Sequence, residues 1–283
     1  MMEINAKRKN GVRNRMGRMS RTFQLAAVGV VFALVSATAD AEPQRVLVCS
    51  VTAAFRHGSI PYVNRALEEI AEGDDRFEVV GWIGDAGELD QLAPDALRRN
   101  RIDAVIFNNT SGDLPLPDLD GFVEWIEAGH GFVGIHAASD TLKGEARYTE
   151  MLQGVFDGHG PQVEATLHAG DPEHPANAGI GETWHLPQEE IYLHRQHDRE
   201  KVNVLWYMRH HPNHPEQEGY FPIAWSRMAG DGRVFYTALG HREDLLSLDP
   251  DRDGRVNPVE VAEQFRAHVL GGIVWALGIE NQD

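Results

Sequence analysis

The chain has 283 residues, with 14 histidines, one cysteine, and 43 acidic against 26 basic side chains, a net charge of −17 at pH 7. That surface repels nucleic acid and anionic lipid, and it suits neutral or cationic ligands and divalent metals. A single cysteine excludes an internal disulfide, and the length suits one large α/β domain with a single core.

The first 41 residues read as a secretory signal. Lys7, Arg8, Lys9, Arg13, Arg15, Arg18 and Arg21 precede an apolar run over 23–35, followed by small residues at 37, 39 and 41. The run is too short for a spanning helix, and cleavage after Ala39 or Ala41 is expected. The protein is then periplasmic or secreted. Losing seven basic and two acidic residues takes the charge of 42–283 to −22.

Val46, Leu47, Val48 and Val51 make 45–51 a first buried strand, in which Cys49 serves as a small core side chain. Ser59 and Pro61 open a helix whose Val63, Ala66, Leu67 and Ile70 share one face. A strand over 77–83, a helix over 89–99 and a strand over 102–107 follow. Asp118 starts another helix with Leu119, Phe122, Val123 and Ile126 along one side, and 132–135 is a fourth strand ending abruptly at His136. Strands alternating with amphipathic helices predict a parallel sheet covered on both faces.

Beyond His136 the pattern loosens. A helix is expected over 148–156, a strand over 163–168, a loop over 171–182, and strands over 189–193 and 202–208. Strands 221–228 and 233–239 flank Ala229-Gly230-Asp231-Gly232, which reads as a hairpin turn. The last helix, 261–277, aligns Val261, Phe265, Val269, Gly272, Ile273 and Ala276. The predicted fold is α/β, a flavodoxin-like, doubly wound and mostly parallel sheet with a C-terminal hairpin and helix.

Four loops converge on the carboxyl edge of such a sheet, where open α/β folds bind ligands. They carry His57 after the first strand, Asn108 and Asn109 after the third, His136 after the fourth, and His241 after the hairpin. Gly134-Ile135-His136-Ala137-Ala138 stands where hydrolases and amidotransferases hold a Gly-x-Ser/Cys-x-Gly nucleophile, but the nucleophile itself is absent. A histidine there serves as a base, a hydroxyl partner or a metal ligand. Should the cleft hold a divalent metal, His57, His136 and His241 with Glu189 or Glu190 are the candidate ligands, because neutral imidazoles plus a carboxylate leave a position open. The plainer reading of each residue is a loop hydrogen bond. The remaining histidine-rich stretches, His194 with His197 and His210-His211-Pro212-Asn213-His214, are taken as solvated loop residues.

The segments "FRHGSIP", "NNTSGD", "GFVGIHAASDT", "PIAWSRMAGDGRVFYTALGH" and "HVLGGIVWALG" resemble, in order and spacing from about Arg45 to Gly278, the ThuA-like (trehalose utilisation) family. The resemblance implies the class I glutamine amidotransferase-like variant of the flavodoxin-like fold, without the amidotransferase cysteine. It implies a role in the catabolism of trehalose or other, including 3-keto, glycosides. His57, Asn109, His136, Asp140 and His241 carry over as site candidates. His130, in place of a glycine before "GFVGIH", and an acidic insertion over 247–260 depart from the pattern.

The expected function is an exported sugar-processing enzyme acting by hydrolysis or elimination. His57, His136 and His241 are its catalytic candidates, and Asn109, Asp140 and Glu190 its substrate-binding candidates. The alternative is a non-catalytic carbohydrate-binding module on the same scaffold. The partner in either case is a carbohydrate or other polyhydroxylated small molecule, with homo-oligomers left open and no nucleic acid or, after signal cleavage, membrane.

Residues 249–260 also match a twelve-residue calcium loop. Asp249, Asp251 and Asp253 fall at positions 1, 3 and 5, Gly254 at 6, the Arg255 carbonyl at 7 and Glu260 at 12. Val256 at position 8 is expected to pack inward. The competing reading is an acidic surface loop in which Asn257 and Glu260 form a capping box.

Overall fold

The computed structural model describes residues 42–279 of the chain. The predicted signal segment, 1–41, lies outside the described residues. The first half alternates as expected: β1 (Gln44–Cys49), α1 (Ile60–Glu72), β2 (Phe77–Ile83), α2 (Pro94–Arg99), β3 (Ala104–Asn108), α3 (Leu119–Glu127) and β4 (Gly131–Ile135). A 3₁₀ turn over His136–Asp140 leads to α4 (Ala146–Leu152). The second half is strand-rich: β5 (Val155–His159), β6 (Val163–Ala169), β7 (Thr183–Glu189), β8 (Tyr192–Arg195), β9 (Asn203–His211), β10 (His214–Ala229) and β11 (Gly232–Thr237), closed by α5 (Val259–Ala276).

Nine strands form one sheet in the order β2-β1-β3-β4-β11-β10-β9-β6-β7, and β5 pairs with β8 apart from it. β2, β1, β3, β4 and β11 run parallel, while β10, β9, β6 and β7 add antiparallel partners. The fold is therefore α/β as expected, with the parallel half of the sheet extended by four antiparallel strands into a mixed sheet. Side chains alternate between two cores. Val46 and Val48 pack with α1 and α5 on one face, and Leu47 and Cys49 pack with α3 and α4 on the other. Burial on both faces explains why the inner strands read as unbroken apolar runs. Desolvation pushes the Cys49 thiol up to about 12, which leaves it an inert core side chain.

Three expected boundaries moved. The helix expected over 89–99 is split into a 3₁₀ segment, Ala86–Leu92, and α2, because Ala93 before Pro94 is extended. The helix expected over 148–156 ends at Leu152, where Gln153 adopts a left-handed cap (φ 59°) and frees Val155 to start β5. The strand expected over 189–193 is two strands, β7 and β8, separated by Glu190 and Ile191. α5 comes so close to the sheet that a Cβ on Gly272 would lie 2.4 Å from the Phe235 ring. This fixes α5 beneath β11. Among the described residues, no helix is long and apolar enough to cross a membrane.

Candidate functional site

The strand ends build the site. Asn108 at the tip of β3 donates to Ser50 Oγ, to the Ile60 carbonyl and to Asn64 Oδ1 at 2.8 Å, tying the start of α1 to the sheet edge. The loop before α1 is clasped to the loop after β3 by Ala53 N–H to Ser111 O (2.7 Å) and Ser111 Oγ to Phe55 O (2.6 Å). These bonds fix where His57 emerges. Asn108 pairs with Ile135, so Asn109 and His136 leave adjacent parallel strands side by side. Both have positive φ, 51° and 49°. For histidine that conformation costs roughly 1–2 kcal/mol, and such strain clusters at functional sites.

His136 is completely buried. Its Nδ1 lies 2.6 Å from the Ala238 carbonyl, which requires Nδ1 to carry the proton and leaves the Nε2 lone pair free to accept. The Tyr192 hydroxyl, 2.8 Å away, donates to that Nε2. The Tyr236 hydroxyl donates to the His136 carbonyl at 2.8 Å and holds the turn from behind. His241 follows Gly240, whose φ of 122° lets the chain bend after β11. Its backbone N–H donates to Glu189 Oε1 (2.9 Å), and the next N–H donates to Oε2 (3.3 Å).

The three imidazoles meet edge to face. Their centroids are 4.8 Å apart for His57–His136, 5.3 Å for His57–His241 and 5.4 Å for His136–His241. Glu190 closes the group: its Oε1 lies 3.2 Å from His241 Nδ1 and 3.5 Å from His136 Nε2, and its Oε2 lies 3.1 Å from His159 Nδ1. Ligand atoms of His57, His136, Glu190 and His241 all lie within 4.8 Å of one another.

Burial dominates the electrostatics. Desolvation, helped by the neighbouring imidazoles, lowers His57 to about 3, and desolvation likewise lowers His136, so both are neutral. Burial opposes charge on Glu190 and His241 too, but their mutual contact outweighs it, lowering the carboxyl and raising the imidazole. Desolvation lifts Glu189 to about 7 despite its backbone donors.

Of the residues singled out in the sequence, His57, His136, His241 and Glu190 are brought together. Asn109 is buried beside them, but its Nδ2 donates to Asn108. Asp140 is ion-paired to Lys143 at 2.6 Å, outside the group of four. Glu189 orients the His241 backbone rather than facing the centre. Tyr192 and His159 went unnoticed in the sequence. The alternate positions of Glu190 and Tyr192 were the available signal, readable only once β7 is known to stop at Glu189.

Two expectations about other histidines and the acidic loop are corrected. Of the histidine-rich stretches His210 is exposed, but His211 is fully buried in β9, and the half-buried His194 bonds Tyr236 from β8. In the 249–260 loop Val256 is 48% exposed and does not pack inward. Asn257 forms no capping box; it is buried and bonds the Gln188 backbone and Asp244 instead. The Arg255 guanidinium donates to the carbonyls of Asp244, Ser247, Asp249 and Asn257, binding the loop to itself. Asp249, Asp251, Asp253 and Glu260 are not drawn into a converging ligand group among the described residues.

A cavity of about 230 Å³ touches the cluster through His241 and is walled by Gly58, Gln162 and Arg242. A larger one, about 580 Å³, lies between α1 and the 246–252 segment. Its arginines are already paired, Arg65 and Arg266 with Glu69 and Arg252 with Glu243.

The family model described as trehalose utilisation, ThuA, matches residues 45–276. The chain belongs to the ThuA family. Among solved structures it is similar to a ThuA-like protein from Parabacteroides merdae ATCC 43184, at 19% identity and a TM-score of 0.65, covering 85% of this chain and 92% of that one. A ThuA-like protein from Bacteroides uniformis ATCC 8492 gives 20% identity and a TM-score of 0.64, covering 86% and 95%. At these identities the likeness is one of fold. No curated protein matches the chain.

Proposed function

We propose that this ThuA-family chain is a sugar-processing enzyme that cleaves oxidised, 3-keto glycosides by elimination, with hydration of the product completing the hydrolysis. The observation that carries this reading is the buried convergence of His57, His136, His241 and Glu190 at the carboxyl edge of the sheet. A conventional glycosidase uses two carboxyl groups across the scissile bond. Here Glu189 spends both oxygens on backbone N–H groups and Asp140 is paired with Lys143, so Glu190 is the carboxylate left to face the centre. One carboxylate beside the neutral imidazoles of His57 and His136 suits proton abstraction next to a ketone. A base takes the proton from the carbon between the keto group and the anomeric centre. The anomeric C–O bond then breaks as a C=C bond forms, and an acid returns a proton to the departing oxygen. Asn109, whose buried Oδ1 has no partner, and Asp140, once released from Lys143, are the candidates for sugar hydroxyls.

Turnover of trehalose, simple glucosides and their 3-keto derivatives tests this. Release of the second sugar from the keto compounds, with solvent exchange of the adjacent C–H, is expected. Binding of either class without bond cleavage would overturn the enzyme reading in favour of a carbohydrate-binding module.

Three further points belong to the same proposal. The parallel order β2-β1-β3-β4-β11 supports flavodoxin-like winding. Export rests on residues 1–41, and an intact mass that still includes 23–35 would refute it. Calcium at 249–260 rests on residue spacing and requires the loop carboxylates to be drawn inward against the present Arg255 contacts.

A further inference from the structure

We infer that His57, His136, His241 and Glu190 form a binding site for one borderline divalent transition cation, of the zinc, manganese or iron(II) class. The donor set is three imidazole nitrogens and one carboxylate oxygen, which disfavours calcium and magnesium, the cations of all-oxygen sites. Ligand atoms ~2.1 Å from a tetrahedral cation stand about 3.4 Å apart, and about 4.2 Å is the most that opposite ligands reach. The observed spread, within 4.8 Å, closes to these distances by side-chain rotation of about an ångström.

Unmet polar atoms point the same way. His57 Nδ1 and His241 Nδ1 are buried and make no hydrogen bond; His241 Nδ1 lies 3.2 Å from Glu190 but off a bonding direction. A buried polar atom without a partner is costly, and a bound cation is a partner for both. The supports are those of a built metal site. His136 donates Nδ1–H to a backbone carbonyl, fixing the tautomer that presents Nε2. The second oxygen of Glu190 faces His159, and Glu189 anchors the His241 backbone through two N–H groups. No Lys or Arg is among the four converging groups, and the nearby Arg242 guanidinium is turned to Asp244.

With the imidazoles assigned as ligands, the Tyr192 hydroxyl, now spent on His136 Nε2, is released beside the cation when that lone pair is taken. The groups left to exchange protons with a bound molecule are Tyr192 and His159. This last point rests on the sugar reading, where a cation polarises the ketone oxygen; the site itself does not.

The test is direct titration of zinc(II) and manganese(II) into chelator-stripped full-length protein by calorimetry, with elemental analysis of the protein as purified. One equivalent is expected in the wild type. His57→Ala, His241→Ala and Glu190→Gln should each weaken binding by a factor of about 100 or more, the upper end of what even supporting residues cost. His214→Ala, half-buried at the start of β10, should change nothing. Tyr192→Phe keeps every ligand and should bind at least as tightly, which covers the case in which a ligand variant fails to fold. No wild-type binding at micromolar cation, binding untouched by the ligand variants, or loss in His214→Ala alone as an adventitious ion would overturn the site. Because no substrate is present, intact binding with no turnover would count against the sugar reading only.

Discussion

Two polar regions lie a few residues apart in the chain and are built on opposite plans. In the knot around Asp244 nearly every donor has an acceptor. Both Arg242 Nε and Nη2 bond the Asp244 carboxylate at 2.8 Å, and Nη1 reaches Gln162 and Gln188. Asp244 in turn accepts from the Val256 and Asn257 N–H groups. In the cluster around His136 the reverse holds: the buried Nδ1 of His57 has no partner, that of His241 meets Glu190 at 3.2 Å without a well-directed hydrogen bond, and the backbone is strained at His136. A saturated network holds the fold, whereas unmet nitrogens that converge with a carboxylate at the sheet's carboxyl edge leave a ligand something to bind. The difference separates a structural clasp from a site, although both are dense in charge.

Substitutions should sort the two regions. The largest expected effect is in the cluster, where Glu190→Gln should reduce turnover of the keto-sugar by ~100-fold or more with little change in melting temperature. Intact turnover with a collapsed melting curve would place Glu190 with the clasp. Asp244→Ala should do the opposite, costing about 3 kcal/mol by removing the carboxylate partner of the half-buried Arg242, with activity per folded molecule unchanged. Denaturant unfolding reads that loss.

Acid sharpens the same contrast. Burial favours a neutral Asp244, but Arg242 and three donors from Val256 and Asn257 prevail and bring it down to about 2, below the ordinary ~3.9 of an aspartate. Its contribution is therefore present above pH ~4 and lost as pH falls toward 2. Asp244→Asn should flatten that part of the stability profile, and an unchanged acid limb would deny it the role. Arg255→Ala should cost less, about 1–2 kcal/mol, by freeing loop carbonyls that water can then reach. Last comes calcium. If 249–260 binds it at ~10⁻⁵–10⁻³ M, several millimolar should add about 1–4 kcal/mol, the lower figure for the weaker affinity, and no shift would leave Arg255 as the loop's own cation.

How far the sequence could be read follows from these physical differences. β1, β3 and β4 were legible because strands buried on both faces need unbroken apolar runs, and the exit at His136 was legible because an imidazole ends such a run. The split at Pro94 was missed although the rule for residues before proline predicts it. Tyr192 and His159 were not legible, since they reach the centre only through β8 and β5, far from the other loops in the chain. Position 8 of the acidic loop misled because apolar Val256 implied a core, whereas Arg255 holds the loop through carbonyls that sequence does not display.

The most direct test of the central contrast is an anomalous-difference map from crystals soaked in zinc or manganese. The account predicts one strong peak between the imidazoles of His57, His136 and His241 and the Glu190 carboxylate, with Tyr192 displaced from His136 Nε2. A peak only at the 210–214 histidine stretch, or none with His57 and His241 still unpartnered, would contradict it.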